Sequence, residues 1–144
     1  MIKNTSLILF KTISSKLGNL IPVEALKEVP FNIKRIYYIY GVPNGVTRGF
    51  HSHRNLEQVL ICVHGKVNIR VKTPYQEEII VLDNPNIGLY IGHMVWREMF
   101  SFSNDAVLVV LASEYYTEQD YIRDIDLYKK EAIEYFKQLD NYEK

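Results

Sequence analysis

Cysteine is almost missing from this chain: Cys62 is the only one in 144 residues. No disulfide can form within it, and a reducing compartment is the simpler expectation. An excess of either charge is missing as well, because 17 Lys and Arg balance 17 Asp and Glu. Without a broad positive field, binding to nucleic acid or to an anionic membrane surface is not expected. A small phosphorylated ligand is still compatible, since it needs only one or two well-placed arginines. Long apolar runs are lacking too. Near the start only Leu7 to Phe10 is continuously apolar, too short for the core of a signal peptide. No segment approaches the roughly 20 residues of a membrane span. Internal repeats, linkers and low-complexity stretches are not seen, so the expectation is one cytoplasmic domain over 1–144.

What is present is ordinary globular material, 47% hydrophobic and 24% charged, with an unusual count of eleven tyrosines. A chain of this length can bury most of its apolar surface without covalent staples. Most of it reads as short strands separated by turns at regular spacing, the pattern of an antiparallel sandwich or barrel. Ser6 to Lys11 and Leu20 to Glu24 are expected to form a hairpin around a Lys16-Leu17-Gly18-Asn19 turn. Ile33 to Tyr40 is dense in Ile and Tyr and stops at Gly41, Pro43 and Gly45. Further strands are expected at Gln58 to Val63, Val67 to Lys72, Glu78 to Leu82, Gly88 to Ile91, Val95 to Phe102 and Ala106 to Ser113. From Thr117 onward the pattern becomes helical. Thr117 is read as the N-cap, with Glu118 and Asp120 in the first turn and Ile122, Ile125, Ile133 and Phe136 as the buried stripe. The expected fold is all-β, a small barrel with a helical tail over about 117–144.

The chemistry concentrates in Arg48-Gly49-Phe50-His51-Ser52-His53, followed by Glu57. Alternate residues of a strand share a face, so His51 and His53 project together. On an exposed edge they would be two solvated imidazoles; inside a barrel they would sit side by side in a confined site. The spacing Gly45, His51-x-His53, Glu57 is similar to the first metal motif of the cupin barrels, in which His, His and Glu supply ligands. The second motif of that fold ends in a further histidine, but the corresponding segment here, Ile91-Gly92-His93-Met94-Val95-Trp96-Arg97, ends in an arginine. A permanent cation cannot ligate a metal and would repel one. His93 lies four residues earlier, in the turn. No metal or cofactor is therefore expected, and both histidines are left free to act as acid or base.

Beyond this motif several blocks resemble one family. They are Pro30 to Ile39, Arg48 to His53 with Leu56-Glu57-Gln58-Val59, Gly88 to Gly92, Val95-Trp96, and Leu111 to Tyr116 leading to Asp120-Tyr121-Ile122-Arg123. In order and spacing, from about Phe10 to Lys130, they resemble the dTDP-4-keto-6-deoxyglucose 3,4-ketoisomerases, the WxcM-like sugar cupins. The resemblance implies a metal-free cupin (jelly-roll) barrel, usually a homodimer that exchanges N-terminal strands. The implied reaction moves the ketone of dTDP-4-keto-6-deoxyglucose from C4 to C3 through an enediol. It supplies 3-amino-sugars to lipopolysaccharide O-antigen and related glycoconjugates. Carried onto this chain, His51 is the favoured carbon acid/base, His53 supports it or relays protons, and Tyr37 donates to the developing oxyanion. Arg48 and Arg35 are assigned to the substrate, along with Tyr90, Arg97 and Glu57. For these last three a plainer reading stands beside the functional one. Tyr90 could line the barrel wall, Arg97 could pair with Glu98, and Glu57 could be a solvated strand-end carboxylate. Two features depart from the family. Its Asp-x-Arg-Gly turn is Ser15-Lys16-Leu17-Gly18 here, and several members have histidine at the position of Arg97.

Three rivals remain at this stage. A 3,5-epimerase of the same sugar nucleotide uses the same barrel but pairs its histidine with an aspartate, and none lies near His51-Ser52-His53 in sequence. The others are a non-catalytic sugar-nucleotide binding module and a metal cupin such as a dioxygenase.

Overall fold

Alternation along a strand decides which side chains meet the core, and it is clearest in Val67–Lys72. There Val67, Ile69 and Val71 are buried while Asn68, Arg70 and Lys72 are only half-buried. The structure, a computed structural model, describes residues 1–143. Its strands are β1 (Thr5–Leu9), β2 (Ile13–Ser15), β3 (Gly18–Leu20), β4 (Arg35–Tyr40), β5 (Arg48–His53) and β6 (Gln58–His64). They continue as β7 (Val67–Lys72), β8 (Glu77–Leu82), β9 (Ile87–Ile91), β10 (Trp96–Phe100), β11 (Val107–Ala112) and β12 (Tyr121–Ile122), before helix α1 (Ile125–Glu143). One sheet runs β1-β9-β6-β11-β4 and the other β12-β5-β10-β7-β8. Their ladders are antiparallel throughout. The expected all-β barrel with a C-terminal helix is what forms.

Three apolar clusters hold it. The largest lies between the sheets and includes Leu60, Cys62, Ile69, Val71, Leu89 and Leu108. Val59 and Ile61 alternate with Leu60 and Cys62, so they face outward, where Phe10, Val29 and Phe31 cover them. Cys62 is fully buried and burial pushes its thiol up, which fits a small core residue rather than a nucleophile. On the outer face of the second sheet Tyr128, Ala132 and Phe136, four residues apart, seat α1 against Met94, Trp96 and Ile122. Burial of a side chain such as Phe136 contributes about 2 kcal/mol.

Two local expectations change. β1 does not pair with the strand after the first turn; it adds to the sheet edge beside β9, with Thr5 opposite Ile91. Phe10, just beyond it, packs so closely over Gly88 that a Cβ there would lie 2.8 Å from the ring. Burying Phe10 on the sheet outweighs closing a local hairpin. The hairpin that does form is shorter, β2 with β3, turning at Lys16 and Leu17. Nor does the helix begin at Thr117. Residues Glu118–Asp120 make one short 3-10 turn, for which Thr117 provides no side-chain cap, and Tyr121–Ile122 then joins β5 as a strand. Ile122 gains full burial that way. The N-cap is Asp124, whose Oδ1 accepts from the Asp126 and Leu127 amides at 2.8 and 3.0 Å. Ile133, placed in the buried stripe from the sequence, is 47% exposed.

Candidate active site

The site is built on β5, and a bulge shapes it. Arg97 pairs with His51 and Glu98 with Gly49, so Phe50 is an extra residue without a partner on β10. Gly49 and Phe50 both have positive φ, 98° and 54°. At Gly49 a Cβ would stand 2.9 Å from the Arg97 carbonyl oxygen, so only glycine fits the close approach. Simple alternation would put Arg48 and His51 on opposite faces. The inserted residue resets the phase, and Arg48, Gly49 and His51 line one cavity of about 360 Å³ with Arg35, Tyr37, Ile39, Tyr116, Tyr121 and Arg123.

The two histidines stand edge to face, with ring centroids 4.8 Å apart. His51 donates from Nδ1 to the Gly49 carbonyl oxygen at 3.0 Å, which leaves Nε2 as its basic atom. His53 lies deeper, and its Nδ1 is 3.1 Å from Asp120 Oδ2. Asp120 also accepts from the backbone amides of Asn55 at 2.7 Å and Leu56 at 3.3 Å. It therefore faces His53 as an acceptor, and the imidazole carries its proton on Nδ1. His53 Nε2 is buried without a partner among the described residues. Burial first, and the Arg97 cation second, push the His51 pKa down to about 3 and that of His53 further below its usual range. Both rings are neutral bases at neutral pH.

Arg97 supplies that positive potential from behind. It is fully buried and donates to the Val95 carbonyl and, at 2.6 Å, to Gln58 Oε1. Burial lowers its pKa to about 10, which keeps it charged at neutral pH. Gln58 Nε2 in turn donates to the Tyr37 hydroxyl at 3.0 Å. Burial raises the Tyr37 pKa above the phenol value, so the hydroxyl keeps its proton.

The structure thus brings His51, His53, Tyr37, Arg35 and Arg48 together. Of these His53 is buried behind His51 rather than on the cavity wall, and the other three sequence candidates do not line the cavity either. Arg97 is walled off and spends its donors on the protein. Tyr90 donates to Glu57 at 2.6 Å, and neither lines the cavity. Tyr90 packs instead against the outer cluster of the first sheet. Glu57 is thus turned away from the ligand role that the cupin spacing would give it. Among the described residues, no three His, Cys, Asp or Glu side chains group as a metal site. The residues missed from the sequence are Asp120, Tyr116, Tyr121, Arg123 and Gln58. Arg123 stacks over the Tyr121 ring at 4.2 Å and pairs with Glu118 at 2.6 Å. Asp120 also removes the sequence ground for excluding the epimerase, because an aspartate far away in sequence is bonded to His53.

An antiparallel double-sheet barrel whose cavity is lined by His51 and three arginines, with His53 buried against His51, is a cupin barrel carrying groups capable of acid–base chemistry beside an anionic ligand. Comparison with known proteins narrows that class. Residues 3–133 match the family described as FdtA: WxcM-like, C-terminal, and the chain belongs to that family. It is 47% identical over 121 residues to a TDP-4-oxo-6-deoxy-alpha-D-glucose-3,4-oxoisomerase from Aneurinibacillus thermoaerophilus, covering 84% of this chain and 87% of the relative. The sugar 3,4-ketoisomerase QdtA from Thermoanaerobacterium thermosaccharolyticum, solved with TDP, superposes with a TM-score of 0.92 at 55% identity, over 94% of this chain and 99% of that one. The TDP-quinovose 3,4-ketoisomerase WlaRB from Campylobacter jejuni gives 0.87 at 46% identity, over 90% and 99%.

Proposed function

We propose that this protein is a TDP-sugar 3,4-ketoisomerase, acting on a TDP-linked 4-keto-6-deoxyhexose. The observation that carries the reading is the pair of neutral imidazoles 4.8 Å apart, each with Nδ1 occupied and Nε2 left as the base. The ketone at C4 acidifies the hydrogen on C3. His51, which lines the cavity, takes that proton through Nε2, and the electron pair moves to O4 as the C3–C4 double bond forms. Tyr37 donates to O4 as charge builds there. The O3 proton passes by way of His53 to O4, and the proton held on His51 returns to C4, which completes the shift to a 3-ketone with a hydroxyl at C4. No electrons enter or leave overall. Arg35, Arg48 and Arg123 suit the diphosphate by charge and fork geometry, and Tyr116 and Tyr121 offer flat faces to the sugar or the base.

The direct test is proton NMR with freshly made TDP-4-keto-6-deoxyglucose in deuterated buffer containing a chelator. A 3-keto product is expected, and its couplings report the C4 configuration. Deuterium at C3 and C5 without movement of the ketone would establish the epimerase instead. An unchanged sugar would leave a binding module.

A cytoplasmic setting and a role in making 3-amino-sugars for O-antigen or similar glycans follow from the same reading. So does a homodimer, though without exchange of the N-terminal strand, since β1 pairs with β9 of its own chain. It is supported by the bare apolar side chains Leu9, Ile13, Leu20, Ile36, Tyr38 and Tyr40, all more than half exposed on the first sheet and hairpin. Sedimentation velocity is expected to show twice the chain mass of 16.9 kDa. A single-chain species at micromolar concentration would end the dimer proposal.

A further inference from the structure

The chain of bonds from Arg97 to Tyr37 has a direction. Arginine has no acceptor, so the Gln58 amide can meet Arg97 Nη1, 2.6 Å away, only through its oxygen. The amide cannot flip, and its nitrogen is held 3.0 Å from the Tyr37 hydroxyl oxygen. That nitrogen only donates, so Tyr37 accepts there and its own proton must point elsewhere. Tyr37 lines the cavity beside His51, whereas Gln58 and Arg97 are 2% and 1% exposed and stand behind it. We infer that Gln58 is a positioning residue: locked by buried Arg97, it compels the Tyr37 hydroxyl to donate into the cavity, toward the oxygen that gains charge during isomerisation. The inference rests on the ketoisomerase reading and adds to it the groups that orient the donor.

The physical advantage is preorganisation. A free phenol in a neutral cavity would divide its time between donating outward and donating to a nearby acceptor. Here the alternative acceptor is removed before substrate arrives, so no reorientation is needed as the enediolate forms. The arrangement uses the buried cation twice, once to fix the amide and once to add to the burial that keeps both imidazoles neutral.

The decisive variant is Gln58→Glu. A carboxylate still gives Arg97 its acceptor, but its second oxygen can only accept, so the Tyr37 proton turns inward to it. Gln58→Met removes both bonds, leaving Arg97 poorly partnered and Tyr37 unbiased. If Gln58 serves only to satisfy Arg97, Glu should retain activity better than Met. If it orients Tyr37, the order reverses: Glu loses about 100-fold in kcat, Met less, and KM changes little in either. Each variant is also made in a Tyr37→Phe background, where the further loss is expected to stay below about twofold because the group being oriented is gone. Wild-type turnover of TDP-4-keto-6-deoxyglucose is the control that separates this inference from the reading beneath it. With that turnover in place, wild-type kcat in Gln58→Glu would overturn the positioning role. Should the Glu chain fail to fold, the Met chain decides. A loss as large without the Tyr37 hydroxyl as with it would equally overturn the role.

Discussion

His51→Ala is expected to lower kcat by about 10³-fold while TDP still binds within a few-fold of wild type. The two parts of the expectation come from different parts of the site. On the proposed mechanism the base that takes the C3 proton would be gone, and water in its place is a far weaker acceptor. The groups suited to the diphosphate, Arg35, Arg48 and Arg123, are on other residues and keep their positions. Folding should survive, because the truncated side chain opens onto the cavity, where water can enter, rather than onto the apolar core. The companion change Asp120→Asn should cost less, about 10- to 100-fold. Both Asp120 oxygens accept from donors, with Asn55 on one side and His53 and Leu56 on the other. An amide group must turn its NH2 toward one of those sides. Turned toward His53, it would move the imidazole proton from Nδ1 to Nε2 and block the relay. Single-turnover rates and TDP titrations on the two variants check this. Isomerisation at the wild-type rate in His51→Ala would place the carbon base elsewhere.

The parts of this molecule that could be read from sequence are those decided by local periodicity. The strands from Ile33 to Ser113 reappear within a residue or two, and the shared face of His51 and His53 follows from strand geometry alone. What could not be read required knowledge of register. The bulge at Phe50 turns Arg48 onto the histidine face, and nothing in Arg48-Gly49-Phe50 except the glycine hints at it. Asp120 is far from His53 along the chain and meets it only because Tyr121–Ile122 pairs as a strand, a segment whose Ile122 and Ile125 also fit a helical stripe. Tyr90 and Glu57 stand in family blocks, and Arg97 at the end of the second cupin motif, which is what points them toward the site in sequence. The fold gives Tyr90 and Glu57 to each other and buries Arg97 behind Gln58. A block can be characteristic of a family because it builds the barrel, without touching the ligand.

The same buried histidines should make the protein unusually sensitive to acid without making its chemistry so. An unfolded histidine takes up a proton near pH 6.5, whereas folded His51 resists until about pH 3 and His53 resists further still. The unfolded state therefore binds more protons than the native one below pH 6.5, and stability falls as pH falls through that window. Above it both states hold neutral rings and the effect vanishes. Between pH 7 and pH 5 the loss is about 2 kcal/mol for His51 and smaller for His53, whose imidazolium would be partly stabilised by Asp120 Oδ2 at 3.1 Å. Denaturant melts of the wild type and of a His51→Asn/His53→Asn double variant at both pH values isolate it. His64 and His93 are common to the two proteins and cancel. The wild type is expected to lose about 2 to 4 kcal/mol more than the double variant on acidification. The kcat of wild-type protein that is still folded should meanwhile stay level, with no limb near pH 6.5, because the working imidazoles are already deprotonated there. A kcat that drops around pH 6.5, together with equal acid sensitivity in both proteins, would mean that His51 and His53 titrate as ordinary solvated histidines. In that case burial and Arg97 do not hold them neutral.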